Sequence, residues 1–178
     1  PISKAAAHGV LQGYGDGTMR PNNNITQEEA IVMLNRAFSV GTQDSAEGYT
    51  SASDWAKPEV YGMAGALSGI EFQPTRPITR AETVKILDNL VSKMYGQPGN
   101  YNGGKERFVI VTTPDAVIED AEILGNIIIS EQIGDGDVTI RNSTIKGTLV
   151  VCGGGANTVK LDNCDVDTIS MERKTGFV

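Results

Sequence analysis

The second half of the chain repeats itself at a nearly fixed interval. Ile118-Glu119-Asp120-Ala121-Glu122-Ile123-Leu124-Gly125 aligns with Ile140-Arg141-Asn142-Ser143-Thr144-Ile145-Lys146-Gly147, 22 residues on, and Leu161-Asp162-Asn163-Cys164-Asp165-Val166 follows after 21 more. Ile127, Leu149 and Ile169 mark a second aliphatic position per copy. Short β-branched runs and turn residues at this period restrict the fold to a parallel β-solenoid with one coil per repeat. Stacking places equivalent residues in columns. Asp120, Asn142 and Asn163 form one, read as a structural side-chain ladder, and Glu119, Arg141 and Asp162 form a charge-alternating one beside it. Cys164 shares a small-residue column with Ala121 and Ser143, where a free thiol fits better than a disulfide to Cys152. We expect about three coils across 108–178.

The first half repeats on a different period. Ile25-Thr26-Gln27-Glu28-Glu29 recurs as Ile78-Thr79-Arg80-Ala81-Glu82, 53 residues later. Each copy opens an apolar stripe at helical spacing: Ile31, Leu34, Ala37 and Phe38 in the first, Val84, Leu87, Leu90 and Val91 in the second. Thr26 with Glu29, and Thr79 with Glu82, have capping-box spacing, in which the Thr hydroxyl and the Glu carboxylate cap each other's backbone N–H. The composition changes near residue 96, at Gly96-Gln97-Pro98-Gly99-Asn100-Tyr101-Asn102-Gly103-Gly104. The expected organisation is an α+β multidomain chain. An all-α segment of two helix–loop–helix repeats covers 1–95 (the first, incomplete, 1–40; the second 50–95). A linker covers 96–107, and a parallel β-helix follows over 108–178.

The charge balance narrows the partners. The chain has 22 acidic and 15 basic residues in 178, a formal charge of −7. A protein that tracks nucleic-acid phosphates carries a basic face, so nucleic acid is not an expected partner. No apolar run approaches membrane-spanning length. Two cysteines and the single His8 are too few for a zinc site or a disulfide scaffold. Asp16, between Gly15 and Gly17, lacks the further acids of a calcium loop and reads as a turn. No metal and no cofactor are expected.

Gly9-Val10-Leu11-Gln12-Gly13-Tyr14-Gly15-Asp16-Gly17-Thr18-Met19-Arg20-Pro21, followed by Ile25-Thr26 and Glu29, resembles an S-layer homology repeat. The second copy carries the family's Ile-Thr-Arg-Ala-Glu motif at 78–82 and its Asp-Trp-Ala opening at 54–56. The resemblance covers about half of the chain. It implies an exported bacterial protein, extracellular and held at the cell wall by repeats that bind pyruvylated secondary polysaccharide.

The residues supply the chemistry for such a site. Capping accounts for Thr79 and Glu82, but not for Arg80. A cation in the first helical turn opposes the helix dipole, so Arg80 reads as a carboxylate receptor beside free helix N–H groups or else as a solvated surface residue. Gln27 stands where Arg80 does in the second copy, so the first copy is expected to lose or weaken that contact. Trp55 reads as core packing or as a wall of a sugar groove, and Lys57 as extra charge for an acidic glycan or as a solvated lysine. The candidate glycan-binding set is therefore Arg80, Trp55, Lys57 and Thr79. The loop before the second copy is seven residues shorter than that before the first.

In the solenoid, Glu122 and Asp165 share a column two coils apart, about 10 Å. That is too far for a retaining carboxylate pair and just beyond the inverting window, and we assign no catalytic residue. The expected function is a wall-anchored surface protein with the solenoid as stalk. The alternative is an anchored carbohydrate-active enzyme whose catalytic coils lie mostly outside this sequence. A solenoid that stops leaves an open edge, so we expect self-association through that end, or residues 172–178 folded across it.

Overall fold

A computed structural model of the chain describes residues 2–156 and 158–173. The chain divides into two compact units, Pro1–Asn89 and Leu90–Val178.

The first unit contains α1 (Ile2–Ala7), α2 (Gln27–Phe38), α3 (Lys57–Gly62) and a 3-10 turn at Ala64–Leu67, and α4 (Arg80–Leu90) ends at its boundary. Helix α2 starts where its sequence dictates. The Thr26 hydroxyl accepts from the Glu29 N–H at 3.3 Å, and the Thr26 N–H donates to the Glu29 carboxylate at 2.8 Å. The helix stops at Ser39, which turns into the left-handed region at φ 51°. Its buried face differs from the expected stripe. Ile31 is inside, but Ala37 is exposed, and Gln27, Glu28 and Asn35 are buried with Ala30 and Val32. Polar residues are stable there because each is fully bonded. Asn35 donates to the carbonyls of Gly41 at 2.7 Å and Glu59 at 2.9 Å. Helix α4 shows the same shift: Val84 is 64% exposed, and Ile86 is the fully buried residue. Met63, Val60, Leu67 and Ala56 complete the interior of this unit.

The second unit is a parallel β-solenoid with three strand positions per coil. The first face stacks β1 (Lys93–Tyr95), β4 (Val109–Val111), β7 (Ile127–Ile129) and the C-terminal parts of β9 (Thr144–Val151) and β11 (Asp165–Met171). The second stacks β2 (Gly99–Asn102), β5 (Ala116–Glu119), β8 (Val138–Arg141) and β10 (Val159–Asp162). The third stacks β3 (Lys105–Glu106), β6 (Glu122–Ile123) and the N-terminal parts of β9 and β11. The inward side chains Ile118, Ile123, Ile127, Ile129, Ile140, Ile145 and Leu149 form its core. The columns fall in the expected register: Ile118 beside Ile140 and Ile140 beside Leu161, and Ile127 beside Leu149 and Leu149 beside Ile169.

The boundary of the solenoid needs correction. Residues 96–107, expected as a linker, belong to the first coil, in which β2 pairs with β5 and β3 with β6. Among the described residues, 109–166 make three coils, and β1, β2 and β3 add one before them, with the C-terminal part of β11 opening a further one. The glycines there mark close approach rather than flexibility. A Cβ on Gly103 would come within 2.5 Å of the Ala121 Cβ. The first coil is also shorter: Gly99 pairs with Ala116, 17 residues on, whereas Ala116 pairs with Val138, 22 on. The extra length enters between β7 and β8, in a segment that carries a 3-10 turn at Glu131–Ile133.

The corner between the second and third faces holds two residues in every coil. Its first residue is left-handed at Asp120 (φ 54°), Asn142 (φ 47°) and Asn163 (φ 52°). Asn and Asp tolerate this conformation better than other side chains. The Asn163 amide also donates to the Asn142 side-chain oxygen at 2.9 Å, which makes part of this column a hydrogen-bonded ladder. Cys152 and Cys164 are free thiols. Of the segment expected to fold across the solenoid end, residues 174–178 lie outside the described residues.

Candidate functional site

The two copies of the Ile-Thr motif face each other. Thr26 and Pro77 form an antiparallel bridge, and the Ile78 N–H donates to the Ile25 carbonyl at 3.0 Å. The starts of α2 and α4 are therefore adjacent, yet they are finished differently. At α2 the Gln27 N–H donates to the Arg76 carbonyl at 2.8 Å and the Glu28 N–H to the Pro74 carbonyl at 3.0 Å. The Gln27 side chain, 0% exposed, donates to the Glu71 carbonyl and to the Glu82 carboxylate, both at 3.1 Å, and accepts from the Gln73 N–H at 2.8 Å. Gln27 is thus a buried tie between the copies. The Glu28 carboxylate, also buried, accepts from the N–H and the hydroxyl of Ser53.

At α4 the cap is made by the copy itself. The Thr79 N–H and hydroxyl both donate to Glu82 at 2.9 Å, and the Glu82 N–H donates back to the Thr79 hydroxyl at 3.2 Å. The other Glu82 oxygen accepts from Arg76 and Gln27. Arg76 first, and then the Thr79 N–H, hold the Glu82 carboxyl at about 2. The Thr79 hydroxyl is used up as a cap. The backbone N–H groups of Arg80 and Ala81 have no acceptor among the described residues, and both residues are exposed.

The Arg80 guanidinium makes no hydrogen bond or ion pair to any described residue. The other arginines of this unit are neutralised: Arg20 by Asp16 at 2.6 Å, Arg36 by Glu59 at 2.8 Å, and Arg76 by Glu82. Lys57 is held by Asp54 at 2.5 Å, and Lys85 by Asp88 at 3.5 Å. An unpaired arginine on the first turn of a helix, where backbone N–H groups are open, supplies donors that suit a carboxylate.

Trp55 is elsewhere and is not in the core. It is 54% exposed and lines a groove of about 700 Å³, whose apolar wall includes Val10, Leu11, Met19 and Met33. The polar wall is the Gly-rich loop. The Tyr14 hydroxyl donates to Glu29 at 3.0 Å, and the Arg20 guanidinium lies over the Tyr14 ring at 4.5 Å. One Asp16 oxygen accepts from the Thr18 N–H and hydroxyl, and the other from Arg20. These bonds, those from Thr18 foremost, hold the Asp16 carboxyl far below the usual range. Burial would raise Glu29, but bonds from Thr26 and Tyr14 outweigh it and keep it below its ordinary value. The bond to Glu29 pushes the Tyr14 hydroxyl up, so it stays a donor. Of the four residues chosen from sequence, only Trp55 lines this groove, while Thr79 and Arg80 sit at the start of α4 and Lys57 is engaged with Asp54. Sequence reasoning missed Tyr14, Arg20 and Arg36 as groove residues, although the Gly-Tyr-Gly-Asp-Gly-Thr run signalled a specialised loop.

In the solenoid, Glu122 is clamped by Lys146 at 2.7 Å and Lys105 at 3.4 Å. Lys146 first and Lys105 second lower its carboxyl from the ordinary value, the wrong direction for a general acid.

The S-layer homology domain model matches residues 1–31. Cell surface glycoprotein 1 of Acetivibrio thermocellus is 34% identical over 98 residues, 49% of this chain and 4% of that protein. Exoglucanase XynX of Acetivibrio thermocellus is 36% identical over 105 residues, covering 52% of this chain and 10% of that protein. Middle cell wall protein of Brevibacillus brevis is 27% identical over 88 residues, 49% of this chain and 8% of that protein. The chain therefore spans a tenth or less of the length of these relatives. No solved structure matches it. The first unit thus carries an S-layer homology match at its start and resembles regions of cell-surface and cell-wall proteins, and the second unit is a parallel β-solenoid.

Proposed function

We propose that this chain anchors a protein to the bacterial cell wall by holding an anionic, pyruvylated polysaccharide at the start of α4, with the solenoid as a stalk. The S-layer homology match at residues 1–31 and the relatives named for the cell surface and the cell wall support a position at the outer surface of the bacterial cell. The observation that carries the finer reading is Arg80, the first residue of α4, whose guanidinium has no partner among the described residues while Arg20, Arg36 and Arg76 are each paired with a carboxylate. A pyruvate ketal presents one carboxylate, which matches a single free guanidinium. Trp55 in the groove offers a flat face for a sugar ring.

The test is co-sedimentation with purified wall. Arg80→Ala loses charge-assisted bonds worth about 1.5–3 kcal/mol, so affinity falls roughly 10- to 100-fold. Its stability stays level or rises slightly, because a cation opposing the helix dipole is gone. Thr79→Ala lowers stability by about 1 kcal/mol through the lost cap. Wild-type binding by Arg80→Ala would place the site elsewhere. The second reading, an anchored carbohydrate-active enzyme, is favoured by the names of two relatives, Exoglucanase XynX and the Amylopullulanase of Thermoanaerobacterium thermosulfurigenes. In it, too, this chain supplies attachment and not chemistry, since Glu122 is locked in ion pairs.

A further inference from the structure

The helix caps of the two copies differ in charge. At the start of α4 the Glu82 carboxylate is shared between the cap and a cation. One oxygen accepts from the Thr79 N–H and hydroxyl, each at 2.9 Å, and the other accepts from the Arg76 guanidinium and from Gln27. Arg76 also donates to the Pro77 carbonyl at 3.0 Å, which ties it to the chain entering the helix. Arg80 follows Thr79 directly, and its guanidinium has no partner among the described residues. Glu82, Arg76 and Arg80 together leave an excess of one positive charge at this cap.

The first copy has neither cation. Asn23 stands 53 residues before Arg76, and Gln27 the same distance before Arg80, while Glu29 keeps the place of Glu82. Glu29 accepts from Thr26 and from the Tyr14 hydroxyl, and its neighbour Glu28 accepts from Ser53, all of them neutral donors. Neither carboxylate makes an ion pair to a described residue. The cap at α2 is therefore negative where the cap at α4 is positive. Capping itself does not require the charge of Glu82, because Gln serves a capping box as Glu does. The guanidinium that neutralises the cap and the guanidinium left unpaired occur together in one copy, and both are missing from the other.

We propose, on the reading of Arg80 as the carboxylate receptor, that Arg76 is a positioning residue that sets the charge selectivity of that site: it cancels the charge of Glu82, so that an anionic ligand is not repelled. Glu82 lies on the Thr79 N–H, one residue before Arg80, so its charge and that of a carboxylate bound at Arg80 share the first turn of α4. Two like charges at that range repel appreciably even in a solvated site. Glu82 is ionised throughout the neutral range, so the charge is present to be cancelled. Arg76 touches Glu82 and acts on the ligand only through it.

The experiment titrates pyruvylated wall polysaccharide into the whole chain and its variants by calorimetry, at low and at high salt. Arg76→Gln should weaken binding roughly 3- to 10-fold at low salt, with the difference fading at high salt. Glu82→Gln keeps the cap, leaves Arg76 uncompensated, and should tighten binding by a similar factor. The double variant, Arg76→Gln with Glu82→Gln, should return to within about twofold of wild type, a rescue that a merely structural role of Arg76 does not give. Glu82→Gln and the double variant decide the matter even if Arg76→Gln is too unstable to titrate. Arg80→Ala, run beside them, separates this role from the site itself. Weak binding by Arg80→Ala together with wild-type binding by Arg76→Gln, a Glu82→Gln chain no tighter than wild type, or a double variant no tighter than Arg76→Gln would overturn the role of Arg76 and leave the Arg80 site standing. Wild-type binding by Arg80→Ala would remove both.

Discussion

Gln27 gives the sharpest test of how the two helical copies are joined. Gln27→Ala removes three hydrogen bonds: two to neutral backbone groups, worth about 1 kcal/mol each, and one to the ionised Glu82, worth about 1.5–3 kcal/mol. Water can reach Glu71 and Gln73, which are exposed residues, and that offsets part of the loss. The expected net cost is about 3 kcal/mol, a large fraction of the stability of a unit this small. Gln27→Arg, which reproduces the residue of the second copy, should also destabilise, because the fully buried site has no room for a solvated guanidinium. Trp55 is the single tryptophan and lies in the first unit, so its fluorescence in a urea titration reports this unit alone. The midpoint should fall by roughly 1 M or more. If Gln27→Ala unfolds within about 0.5 kcal/mol of wild type, or Gln27→Arg is as stable as wild type and binds wall more tightly, position 27 is a ligand position after all.

The left-handed corners predict that Asn142→Ala costs about 1–2 kcal/mol, while Asn142→Gly restores most of it, as read by thermal denaturation. The Glu82 carboxyl, held at about 2, gives a pH signature. Its folded value lies below its unfolded one, so its contribution is complete above about pH 4.5 and is lost as the pH falls toward 2. An acid titration followed by Trp55 fluorescence should show this loss, and Arg76→Ala should shrink it, because Arg76 is the main cause of the shift.

The solenoid was legible in the sequence wherever its period held. Ile118, Ile140 and Leu161 aligned by eye and stack in the structure. The first coil escaped because its spacing to the next is 17 residues rather than 21 or 22, and because glycines at tight corners look like glycines in a flexible linker. Capping boxes were legible because they are local, three residues apart. The buried faces of α2 and α4 were not, since periodicity ranks residues by hydrophobicity. It cannot foresee that Gln27, Glu28 and Asn35 find partners 6 to 55 residues away, which makes them stable inside. For the same reason Arg80 stood out in the sequence as a residue against its helix dipole, while the pairing of Lys57 with Asp54 appears only in three dimensions. Trp55 was ambiguous, because a single aromatic side chain serves a core or a groove equally well.

The most direct measurement of anchoring compares two ligands that differ in one group. Wall polysaccharide is purified, and half is treated with mild acid to remove its pyruvate ketals. Both samples are titrated into the whole chain by calorimetry at neutral pH. Recognition of a carboxylate at Arg80 predicts binding to the pyruvylated polymer that weakens roughly tenfold or more after ketal removal, and little difference between the two polymers for Arg80→Ala. Equal affinity of the wild-type chain for both polymers, or no binding to either, would contradict it.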